Sequence, residues 1–251
     1  MMLRVARRQR RHGHRDRDIP VSPAAAVIWK EYRQHRAVLI AGLTAVIMTP
    51  ALIALIALLN GIGRVTLEDN IQASAFAFLA VVWPLLAVAV GSATIAGEYE
   101  SRTLHFLLSR PLSRARAWGA KVLVAATVVG IVAATSWLFI VLLERTLPLD
   151  PAQRNPVTFG RPFAQFGVPG FVSFTILLFG CAVLCSTLLP RPLTAAAASI
   201  ALALVVSLAL AGAGALLDVP TREGWRVGGL VAAAALLLLA SLMIFVNHRR
   251  P

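Results

Sequence analysis

Charge is scarce in this chain: only 14% of its 251 residues are Asp, Glu, Lys or Arg, where an ordinary soluble domain carries about 25%. With 58% hydrophobic residues and a mean hydropathy of +0.77, the apolar side chains are too many for a water-soluble core of this size. Lipid is the expected solvent. Two cysteines, Cys181 and Cys185, are too few for a disulfide framework or a metal set; four apart in an apolar run, they read as buried thiols. Lysine is almost missing, and neither Lys30 nor Lys121 closes a G-x-x-x-x-G-K-[ST] loop, which excludes a P-loop ATPase of that kind on this chain. No H-E-x-x-H occurs among the five histidines and no G-x-S-x-G surrounds a serine, which disfavours an intramembrane metalloprotease or serine hydrolase. The chain is therefore not expected to be an enzyme or to hold a cofactor or metal of its own.

What the chain does have is long charge-free stretches. A bilayer core about 30 Å thick needs roughly 20 apolar helical residues, and six runs meet that length: 37–59, 73–97, 122–143, 167–189, 193–217 and 227–246. They are apolar throughout rather than alternating, which excludes barrel strands. The expected fold is all-α, a polytopic membrane protein whose six-span domain covers 37–251. None of the six cores contains Asp, Glu, Lys, Arg or His, so they offer no ionisable group of the sort that ion-coupled transporters usually place near the midplane. Pro84 in the second run is a candidate kink. Small residues four apart, Ala87 with Gly91 and Ala93 with Gly97, favour close helix packing, and Gly212 with Gly214 is a similar pattern.

Acids number 11 against 24 Lys and Arg, a net charge of +13. If the N-terminus is cytoplasmic, the alternate connections 1–36, 98–121, 190–192 and 247–251 carry 18 of the basic residues and the outer loops 6. Both termini are expected inside, in a prokaryotic cell (inner) membrane, and the basic excess is a topology signal rather than a nucleic-acid footprint. Residues 1–22, rich in arginine, read as a disordered basic tail beside anionic lipid. In 23–36, Ala25, Ile28, Trp29 and Tyr32 recur at helical spacing with Lys30, Arg33 and Gln34 on the other side, the pattern of an N-terminal interfacial helix. The same residues also suit a cytoplasmic extension of the first span.

One cytoplasmic connection is more informative. Between spans two and three runs Glu98 to Lys121, EYESRTLHFLLSRPLSRARAWGAK. Leu104, Leu107 and Leu108 make one apolar face, Glu98, Glu100 and Arg102 precede it, Pro111 ends the helix, and Ser113 can cap the next one, which enters the third span. A short helix of this kind, held at the inner surface by two spans, suits docking to a cytoplasmic partner; resting on the headgroups suits it equally.

At these residues the chain resembles the permease subunits of type-two ATP-binding-cassette (ABC) transporters, exporter class. The shared pattern is Gly97-Glu98, Glu100, Thr103-Leu104, Leu107-Leu108-Ser109, Pro111, Ser113-Arg114 and Lys121. The resemblance implies a translocation path formed with a second permease chain, as homo- or heterodimer, and cytoplasmic ABC ATPase subunits that hold ATP and magnesium. It also implies a coupling helix between spans two and three, which makes Glu98, Glu100, Arg102, Leu104, Leu107 and Leu108 the expected ATPase-docking residues. Trp29, Lys30, Glu31 and Tyr32 are a second candidate contact. The competing expectation is a non-transporting membrane scaffold or assembly factor for maturation of an extracytoplasmic protein.

Overall fold

The computed structural model describes residues 23–59, 64–100, 113–146, 160–216 and 222–247, with the side chains of some helix ends left out. The described residues form six helices and no strand: α1 Pro23–Leu59, α2 Arg64–Glu100, α3 Arg114–Thr146, α4 Gly160–Leu188, α5 Pro192–Leu216 and α6 Arg222–Asn247. Five segments are long and apolar enough to cross a membrane: Val81–Glu100, Arg114–Phe139, Pro169–Leu188, Pro192–Ala213 and Gly224–Asn247. The expected first span, 37–59, lies in α1, where several side chains between 50 and 58 are outside the described residues. Unbroken helix is what a lipid medium demands, because no water is there to satisfy a free N–H or C=O. Several buried hydroxyls follow the same rule: Thr94 donates to the Val90 carbonyl at 2.8 Å, Ser136 to Val132 at 2.7 Å and Ser186 to Val183 at 2.7 Å. Each is satisfied inside its own helix.

Helix α4 is the hub, packed against α2, α5 and α6, while α2 also touches α1 and α3. One core joins Val46, Leu86, Val90, Val128, Val132, Phe179 and Val183, from the first four helices. A second joins Val88, Leu177, Cys181, Ala203 and Ala234, from α2 and the last three. Cys181 is buried in this second core and Cys185 against Ala96 and Ala195, as the sequence leads one to expect. Among the small-residue pairs, Ala87 and Gly91 are buried at the α2–α4 contact, but a side-chain atom added at Gly212 would meet nothing within 4 Å. Its spacing with Gly214 therefore reflects no close contact of Gly212 within this chain.

The boundary at 36/37 between an interfacial helix and a first span corresponds to no break, because α1 runs for 37 residues from Pro23. A single stripe explains this: Val27, Glu31, His35, Gly42 and Val46 are all buried at successive turns of α1, and the helix packs along this length on α2 and α3. At the start of α1 the expected apolar face lies on the outside of the bundle. Ile28, Trp29 and Tyr32 are exposed, with the Trp29 and Tyr32 rings 5.7 Å apart, whereas Glu31 and His35 face the interior. Helices α4 and α5 are joined by a short bend through Pro190 and Arg191. The basic tail 1–22 and the proposed coupling helix lie outside the described residues.

Candidate functional site

Helices α1 and α3 run antiparallel to α2, so the start of α1, the end of α2 and the start of α3 meet at one end of the bundle. Four charged side chains converge there. Lys121 of α3 donates to Glu31 Oε1 of α1 at 2.5 Å and to Glu98 Oε1 of α2 at 3.0 Å. Lys30 reaches the same Glu98 oxygen at 2.5 Å. Glu31 is 0%, Lys121 1% and Glu98 2% exposed, so these ions are removed from water and depend on close ionic partners to hold their charge. Lys30, by contrast, has 44% of its side chain exposed, and its contact is screened by solvent. Two carboxylates against two ammonium groups leave the cluster neutral.

Local sequence sets each position. Glu31 and His35 are four apart on one face of α1. Ser113 caps α3, with its Oγ accepting the Arg116 N–H at 3.3 Å, and that start fixes where Lys121 falls two turns later. The same end of α3 is tied to α6: Trp118 Nε1 donates to Ser241 Oγ at 3.1 Å, and Arg114 donates to the Val246 carbonyl at 3.2 Å. A cation over the last carbonyls of α6 also complements that helix's dipole.

His35 sits beside the ions, 3% exposed. Burial holds its pKa below the ordinary 6.5, with Glu31 pulling it up and Lys121 pushing it down. Its Nε2 and the second oxygen of Glu31 are buried with no hydrogen-bond partner among the described residues. A depressed folded pKa means that the unfolded chain binds the proton more readily, so stability is full above about pH 6.5 and declines as pH falls below it. Thermal unfolding in detergent micelles is expected to show this loss between pH 7.5 and 5.5, with a shallower slope in His35→Leu. An unchanged slope in that variant would remove His35 as the titrating group.

The residues expected to dock the ATPase separate into three groups. Glu98 and Glu31 point into the bundle and pair with Lys121. Trp29, Tyr32 and Glu100 are exposed, and Lys30 is half-exposed with its ammonium on Glu98. Arg102, Leu104, Leu107 and Leu108 lie outside the described residues. Sequence reasoning did not single out His35, and it used Lys121 only as part of the family pattern. The available signal was a near lysine-free chain with one lysine at the mouth of an apolar run and an acid in each flanking element. No group of His, Cys, Asp and Glu among the described residues is arranged to hold a metal. What the cluster can do is mechanical: it fastens three helix ends around the connection 101–113. Comparisons with curated proteins and with solved structures gave no match. The model of the ABC-2 family transporter proteins, however, matches residues 25–225, which include every member of the cluster, and the chain therefore belongs to that family as a membrane permease subunit.

Proposed function

We propose that this permease lines the path of an ATP-driven exporter in a prokaryotic cell membrane, with both termini cytoplasmic. A second permease chain completes the path, and separate ABC ATPase subunits holding ATP and magnesium dock beneath. The carrying observation is the family match across 25–225, since ABC-2 permeases work with ABC ATPases and are normally not catalytic themselves. The charge asymmetry of the connections supports the orientation. Exposed apolar side chains along α5 and α6, among them Leu204, Leu208, Leu236 and Met243, suit a surface facing lipid or a second chain.

In this proposal Leu104, Leu107 and Leu108 form the apolar anchor of a coupling helix, flanked by Glu100 and Arg102, with Trp29 and Tyr32 as a second contact. Nucleotide-driven closure of the ATPases moves the coupling segments, and the spans exchange inward- and outward-open states. The test is a pull-down of the tagged chain from gently solubilised native membranes. An ATP-hydrolysing subunit is expected in the eluate and is expected to be lost in Leu104→Asp/Leu107→Asp, with membrane insertion unchanged. Equal recovery from that double variant would overturn the docking assignment, and abundant permease with no ATPase would overturn the function.

A further inference from the structure

We infer that Lys121 and Glu31 are positioning residues that lock α1 to the two helix ends flanking the α2–α3 connection, so that a displacement of those ends is carried into α1. The inference rests on the proposed docking of that connection to the ATPase. It comes from the placement of the ions. Glu98 is three residues before the connection and Lys121 eight residues after it, and their contact at 3.0 Å closes the connection at its base. Lys121 then extends the closure to a third helix through Glu31 at 2.5 Å.

Burial makes this link stiff. Surface ion pairs exchange with water and hold little, but Glu31, Glu98 and Lys121 have almost no exposure, and separating them would strand a charge in a medium that solvates it poorly. No other ionic link between α1 and α3 is present among the described residues. Below the cluster, the α1–α3 contact is apolar, with Gly42 against Val132, and packing of that kind lets helices slide. The aromatic pair Trp29 and Tyr32, which flanks Glu31 on the exposed side of α1, would move with the connection.

Hydrogen exchange of the intact permease–ATPase complex, measured without nucleotide and after trapping with ATP, magnesium and vanadate, tests this. In the natural protein, trapping is expected to change exchange both in 23–36 and in 114–121. Glu31→Leu leaves Lys121 paired with Glu98 and removes the buried link to α1, so that α1 keeps only the solvent-screened Lys30–Glu98 contact; its response in 23–36 is expected to weaken while that in 114–121 is kept. Glu31→Gln keeps the size and an acceptor for Lys121, and serves if the leucine variant exchanges faster before nucleotide is added. Its response in 23–36 is expected to be weaker than in the natural protein, with 114–121 unaltered. Full responses in both regions of both variants would overturn the lock while leaving the transporter function intact. Absence of any nucleotide response in the natural complex would overturn both.

Discussion

Replacing Lys121 with methionine is expected to destabilise the protein by about 3–5 kcal/mol, the usual result of breaking a buried ion pair by removing one partner. Methionine has nearly the same length, so the loss comes from charge rather than volume. Glu31 and Glu98, both essentially inaccessible to water, would lose the buried cation they share, and the Lys30 contact that Glu98 keeps is half-exposed and screened by solvent. The measurement is thermal unfolding in micelles, together with the fraction of solubilised protein that remains monodisperse. Removing the whole cluster is expected to behave differently: Glu31→Gln/Glu98→Gln/Lys121→Met leaves no uncompensated buried charge and should recover most of the lost stability. A triple variant no better than Lys121→Met would mean that the ions matter through specific hydrogen bonds rather than charge balance.

The same cluster marks where sequence reasoning about this chain reaches its limit. Helix positions, their apolar runs and the cap at Ser113 are local properties, set by hydrophobic length and by one side-chain hydrogen bond. The family pattern placed Glu98 and Lys121 on either side of the connection, but a one-dimensional pattern assigns no direction to a side chain. An acid near the end of a span is usually solvated, so Glu98 and Glu31 looked available to a partner. Their inward orientation depends on which face α1 turns toward α2 and α3. That face was hidden by the aromatic stripe of Ile28, Trp29 and Tyr32, which is the more conspicuous amphipathic signal and points outward. Read at intervals of four and seven, Val27, Glu31 and His35 continue into Gly42 and Val46, a stripe that passes from charged to apolar as α1 enters the bundle. The absence of a break between the expected interfacial helix and the span has the same cause.

Helix packing at α4 leads to the other large effect. Gly91→Val and Gly180→Val are each expected to destabilise the bundle, by about 1–3 kcal/mol as overpacked cores usually are. A Cβ at Gly91 would lie 2.8 Å from the Ala182 Cβ and 3.3 Å from the Phe179 carbonyl oxygen. Alanine has no rotamer by which to retreat, so α2 and α4 must separate. At Gly180 the neighbours are the Ala234 carbonyl oxygen at 3.1 Å and its Cα at 3.3 Å, backbone that moves only with α6 itself. These glycines hold two different neighbours close to opposite sides of one helix, and without a hydrophobic effect between helices in lipid, such close packing supplies much of the association. Gly130 is the control: it is exposed in α3 with nothing within 4 Å of an added Cβ, so Gly130→Ala is expected to stabilise the helix by roughly 0.5–1 kcal/mol through the lost flexibility of glycine. Thermal unfolding of the three variants should therefore shift in opposite directions. If Gly91→Val and Gly180→Val unfold at the temperature of the natural protein, α4 is not held as closely as these distances require.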